Sequence, residues 1–246
     1  MATVKEAVES GITPIVLDFS DVTLFESNEK LMRSFITVNS LDLGVLGYSQ
    51  YRFVARRTKV GNQLVRRHLE KLFRLIPEMT ENDPKISCVT VPVYARLLGD
   101  SKLANMLIDI SSLYPEVPLG KICIELSADI LYENLDEARE KIDELRRLGV
   151  RVAICEVGDQ FCPVFRLSEF KFDYAFMDSY STDNLATDNA DRIAGSLVKY
   201  LHYLDVKVIC PGLDSEAKIA DAKRLGADGY TEEIKEAIFV DGGDAQ

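Results

Sequence analysis

The feature that most constrains this chain is a phrase it uses twice. "ENLDEAREKIDELRRLGV" (133–150) runs straight into the apolar "RVAICEV" (151–157), and "DSEAKIADAKRLGA" (214–227) runs into "DGY" (228–230). Each phrase opens with acids, closes with basic residues and stops at a glycine, an order that suits the helix dipole and a C-terminal stop. A helix that hands over to a short apolar strand is the punctuation of βα units, and it predicts a mostly parallel sheet.

Six further strand candidates follow the same grammar: FITVN (35–39), GVLGYSQYRFV (44–54), ISCVTVPV (86–93), KICIEL (121–126), YAFMD (174–178) and VKVIC (206–210). Between two of them, LVRRHLEKLFRLI (64–76) places Leu64, Leu69, Leu72, Phe73 and Ile76 on one helical face. Eight strands with intervening helices favour a closed, TIM-like (β/α)8 barrel over an open sheet. The 246 residues suit one such α/β barrel, which typically takes about 250. Residues 35–235 are assigned to it. Residues 1–34, with the apolar TPIVLDF (13–19) and a helix expected over 26–34, are read as a short N-terminal extension packing on the barrel. Residues 236–246 are read as a flexible acidic tail, and both ends read as complete.

A formal net charge of −11 counts against nucleic acid and anionic membrane as partners. No basic-plus-apolar leader appears, and no apolar run approaches the roughly 20 residues that span a bilayer. A cytoplasmic location is therefore expected. The five cysteines are an odd number and lack C-x-x-C spacing, so buried reduced thiols are expected rather than a zinc knuckle.

From Ile86 to Tyr230 the strand ends read "CVTVPV", "IELSAD", "ELRRLGV", "AICEVGDQFCPVFRL", "FDYAFMD", "CPGLD" and "LGADGY". In order and spacing this series resembles the EAL domain family, barrel enzymes that hydrolyse cyclic di-GMP, and the resemblance implies their fold. Family hydrolysis uses two metals held by carboxylates and an Asn, which activate water against a phosphodiester. Glu125 matches the first acid of E-x-T-E, but Ala128 stands at the second and Thr90 at the metal-binding Asn. Cys155 and Glu156 fill the paired Asp positions, and Phe176 replaces the Lys before a retained Asp178. Pro211 and Asp214 stand at the two acids of A-E-G-V-E, and Asp228 at the Gln before Gly-Tyr. The namesake acid is expected in a second strand at "LGYSQYRF", where neither Tyr48 nor Ser49 supplies one.

Hard divalent cations want oxygen ligands in good geometry. The resemblance therefore implies a site whose hydrolytic machinery is dismantled, with Glu125, Glu156 and Asp178 as residual candidates and no resident cofactor beyond a weak hold on magnesium or manganese. Arg52, Glu125, Asp178 and Asp214 are the candidate ligand contacts. A carboxylate beside Cys155 raises a thiol pKa, which makes an inert cysteine the expected one. Neither His68 nor His202 lies in a nucleophile motif.

Two other features suggest a protein partner. Arg52, Arg56, Arg57, Lys59, Arg66, Arg67, Lys71 and Arg74 form a basic run opposed only by Glu70. The loop GDQFCPVFRL (158–167) brings Phe161 and Phe165, where exposed apolar side chains make contacts. Arg66, Arg67, Phe161 and Phe165 are the candidate partner residues. The expectation is a catalytically inactive regulatory domain that binds a protein partner or senses cyclic di-GMP uncut, with the homodimer common in the family open to it. The alternative is a divergent metal-dependent hydrolase working through the altered carboxylates.

Overall fold

The computed structural model describes residues 15–40, 43–58, 60–99, 102–159, 162–183 and 188–232. The chain opens with β1 (Ile15–Leu24), β2 (Lys30–Ser40) and the short β3 (Gly44–Leu46), followed by α1 (Tyr48–Arg57) and α2 (Val60–Asn82). Then come β4 (Ile86–Val93), α3 (Lys102–Leu113), β5 (Ile122–Ser127), α4 (Leu135–Arg147) and β6 (Arg151–Val157). The last third holds β7 (Tyr174–Met177), α5 (Ser179–Asp183), α6 (Asp188–Tyr203), β8 (Lys207–Cys210), α7 (Glu216–Leu225) and β9 (Gly229–Thr231).

The strands run in the order β1-β9-β8-β7-β6-β5-β4-β2, and β1 pairs again with β2, so eight strands close a barrel with β3 attached outside on β2. β2, β4 and the strands through β9 are parallel neighbours, while β1 is antiparallel to both of its partners. The TIM-like barrel expected from the sequence is thus present, with one unit altered. β1 and β2 form a hairpin from Ile15↔Val38 to Thr23↔Lys30 with no helix between them.

Three local expectations are corrected. Residues 15–24 and 30–34 are wall strands of the barrel rather than a layer packed on it, and no helix covers 26–34. The strand expected over 44–54 stops at Leu46, and "YSQYRFVARR" is α1. Its aromatic residues resemble a strand in composition, but Tyr51 and Ala55 are buried at helical spacing against the barrel. The expected acidic tail lies outside the described residues, as does Phe161.

The two repeated phrases fold as read. In α4, Asn134 accepts hydrogen bonds from the Asp136 and Glu137 amides, and Gly149 turns the chain at φ 87°. In α7, Ser215 caps the start and Gly226 ends the helix at φ 92°. The main core lies between strands and helices, where Leu69, Leu72 and Phe73 of α2 are fully buried. Burying each such side chain contributes roughly 1.5–3 kcal/mol. A second buried cluster fills the lumen: Val22, Leu24, Leu31, Cys88, Cys123, Ala153, Tyr174, Phe176 and Ile209. Among the described residues no helix is long and apolar enough to cross a membrane.

Candidate functional site at the barrel mouth

Side chains alternate along a strand, so the residue two places beyond each lumen residue is the next one up the inside of the barrel. Leu31 is followed by Arg33, Cys88 by Thr90, Cys123 by Glu125 and Ala153 by Cys155. These four meet near the C-terminal strand ends, where barrels of this kind carry their sites.

Glu125 is 3% exposed, and both its oxygens are taken. Arg33 Nε donates to Oε2 at 3.0 Å, Arg33 Nη2 donates to Oε1, and Thr90 Oγ1 donates to Oε2 at 3.0 Å. This is the two-pronged guanidinium–carboxylate fork. The guanidinium also lies over the Phe176 ring, 4.4 Å from its centroid, and over Phe35 at 5.0 Å. Burial works against its charge, but the Glu125 carboxylate outweighs that and raises the arginine pKa. Phe176, expected where the family has Lys, forms the floor beneath the arginine. Burial pushes the Cys155 thiol well up, with Glu125 and Glu156 adding to the effect, so Cys155 is held as an unreactive thiol.

A second arrangement sits at the rim. Glu156 has a left-handed backbone (φ 62°), a conformation that costs a non-glycine residue about 1 kcal/mol or more. Its carboxylate lies 3.3 Å from Arg52 Nη1 and 3.5 Å from Arg56 Nη2. Arg56 Nε is also 3.5 Å from Asp129 Oδ2, and Arg52 stacks on Phe53 at 4.8 Å. The Nε atoms of both arginines are shielded from water and have no hydrogen-bond partner. α1 thus brings two guanidinium groups over the strand ends.

The remaining candidates belong to neither cluster, although Asp178 also follows a C-terminal strand end, that of β7. Asp178 Oδ1 accepts from the Ser181 amide at 3.2 Å, while its buried Oδ2 is unpartnered. Asp214 is exposed and paired with Lys218 at 3.2 Å. Among the described residues, no three His, Cys, Asp or Glu side chains gather as a metal shell. Arg66 is engaged by Glu70 one turn along its own helix at 2.9 Å, and Arg67 also lies on α2. Phe165 is 89% exposed in the short helix Val164–Glu169, on a different element from the arginines. Arg52 and Glu156, both singled out in the sequence, stand at the mouth, while Arg33 and the pairing role of Arg56 were missed. The available signal was the alternation Leu31, Arg33, Phe35, which sets one cation on an apolar face.

An EAL domain family model matches residues 30–231. The curated relatives include the signaling protein YkoW of Bacillus subtilis, 22% identical over 131 residues, or 53% of this chain and 16% of that protein. Cyclic di-GMP phosphodiesterase PdeB of Shewanella oneidensis is 20% identical over 190 residues, or 76% of this chain and 22% of that one. The chain therefore spans only about a sixth to a fifth of the length of these relatives. Among solved structures, the FimX EAL domain from Pseudomonas aeruginosa bound to c-di-GMP superposes with a TM-score of 0.80 at 16% identity, covering 93% of this chain and 91% of that one. That likeness establishes the fold, and the family match over most of the barrel establishes the kinship: this chain belongs to the EAL domain family.

Proposed function

We propose that this domain is a cytoplasmic signalling module that does not hydrolyse cyclic di-GMP and acts through what its mouth binds. The observation that carries the reading is the Arg33–Glu125 fork. Metal-assisted hydrolysis needs a carboxylate free to hold a divalent cation, and here a guanidinium already supplies the positive charge and uses both oxygens. Thr90 adds a neutral hydroxyl donor to the same carboxylate, which is the wrong polarity for a metal's ligand shell. The residues present do not fit a magnesium or manganese pair.

What remains at the rim is a pair of guanidinium groups with carboxylates at long range. The charges of Arg52 and Arg56 are met by long contacts to Glu156 and Asp129, and each keeps an unmade Nε–H hydrogen bond. An anion that displaced Glu156 would satisfy both. Cyclic di-GMP, which the FimX domain binds, carries phosphates of the needed charge. A protein partner is the second reading, favoured by Phe165 and Tyr132 standing 89% and 58% exposed, Tyr132 in the same short helix as Asp129. A partner offering an acidic side chain beside an apolar one would meet both features.

A calorimetric titration of cyclic di-GMP with millimolar magnesium or manganese tests the reading, with the same samples assayed for linear dinucleotide. Binding without product, weakened by Arg52→Ala, is the result expected of a sensor. No binding and no product would leave the partner reading. Turnover lost on Glu125→Ala would overturn the proposal.

A further inference from the structure

The opposite end of the barrel holds a cavity of about 530 Å³ that the mouth does not reach. It opens at the N-terminal ends of β4, β5 and β6, and its wall includes Lys85, Lys121 and Arg151 with Glu29 as the one acid. Small-molecule pockets span roughly 300–1,000 Å³. In a chain of net charge −11, three cations against one carboxylate is a local reversal of sign.

The partners of these cations are the telling detail. Arg151 Nη1 reaches Tyr174 OH at 3.1 Å, Cys88 Sγ at 3.4 Å and Ser87 Oγ at 3.5 Å. Lys121 Nζ donates to the Ile86 carbonyl at 2.6 Å. None of these is a carboxylate. Among the described residues, none of the three cations lies within ion-pair distance of a carboxylate, whereas Arg139, Arg146, Lys218 and Arg224 each have one. Arg151 and Lys121 are thus held in place without a carboxylate counter-charge. Ile86 and Pro118 give the cavity an apolar wall beside the charged one.

We infer that this floor cavity is a binding site for a small phosphorylated molecule, its phosphate held by Lys85, Lys121 and Arg151 and its body resting on Ile86 and Pro118. A phosphate takes a guanidinium in the two-pronged manner and accepts ammonium donors from either side. The site is separate from the mouth and does not depend on the function proposed for it.

The test is calorimetric titration of inorganic phosphate and pyrophosphate into the folded chain, against sodium chloride of equal ionic strength. Saturable binding of one anion per chain is expected. Lys121→Gln and Lys85→Gln should each weaken it about tenfold, the loss of one charge-assisted contact, and Glu29→Gln should tighten it. Arg139→Gln makes the same charge change away from the cavity and should leave it unaltered. Arg151→Gln should abolish binding, but it also removes contacts to Tyr174, so the two lysine variants carry the test. Heat no greater than that of chloride would overturn the site. So would binding that survives Lys121→Gln and disappears with Arg52→Ala, which would place the anion at the mouth.

Discussion

Two arginine–glutamate arrangements stand at the same end of this barrel, one inside the lumen and one at its rim. Side chains of the inner pair are 12% and 2% exposed for Arg33 and Glu125; at the rim, Arg52 and Glu156 are 34% and 29% exposed. The inner pair has short, forked hydrogen bonds, an added hydroxyl donor and an aromatic ring beneath. Its outer counterpart has long contacts, a strained backbone and two idle Nε–H groups. The same two residue types therefore serve opposite ends. Inside they close off a charge, and outside they leave one within reach of a ligand.

The sharpest way to break this comparison is to remove the inner arginine. Arg33→Ala leaves a buried carboxylate without its counter-charge, and breaking such a pair costs about 3–5 kcal/mol. Urea unfolding at pH 7 should show that loss. A double variant, Arg33→Met with Glu125→Leu, replaces the pair by apolar groups of similar volume and should return to native stability or exceed it. A single variant that costs under about 1 kcal/mol would mean that water reaches Glu125 after all.

Much of the architecture could be read before any coordinates, because helix stops and apolar runs are local signals. The two RLG phrases gave α4 and α7 with their glycine stops. What escaped was β2 and its arginine, for a reason that is also local. FITVN ends the strand in apolar residues, so the eye starts there and leaves Lys30–Ser34 to the segment before. α1 escaped because Tyr48, Tyr51 and Phe53 carry strand composition, while the burial of Tyr51 and Ala55 is decided by the barrel they lie against. The fork between Arg33 and Glu125 joins residues 92 apart in sequence. Identity of the two strands as neighbours across β4 had to be known before that pairing could be seen.

The outer face of β2 sharpens the contrast from behind. Ser34, next to Arg33, points the other way and meets His68 of α2 at 2.8 Å while donating to the Thr90 carbonyl at 2.6 Å. Burial pushes the His68 ring down to about 3 from an ordinary 6.5. Between those values the unfolded chain holds a proton that the folded chain refuses, so stability present above pH 6.5 is lost as pH falls. The slope is about 1.4 kcal/mol per pH unit. Comparing the native chain with His68→Gln, the difference in unfolding free energy between pH 7 and pH 5 should shrink by about 2 kcal/mol. An unchanged difference would show that His68 takes up its proton in the folded state.

The smallest effects belong to the rim, and there the direction matters more than the size. Glu156→Ala keeps the left-handed backbone and gives up the contacts to Arg52 and Arg56. Glu156→Gly gives up the same contacts but adopts that backbone freely. Half-exposed ion pairs are worth about 0–1 kcal/mol, and the strain is worth about as much. Glycine should therefore be close to native in stability, with alanine about 1 kcal/mol below glycine, a gap that thermal unfolding of the two variants can resolve. Both variants free the two guanidinium groups equally, so both should bind an anionic ligand at the mouth more tightly than the native chain. If alanine and glycine are equally stable, Glu156 is not strained where it stands. If neither tightens ligand binding, Glu156 orients Arg52 and Arg56 rather than competing with the ligand, and the rim is as closed as the lumen.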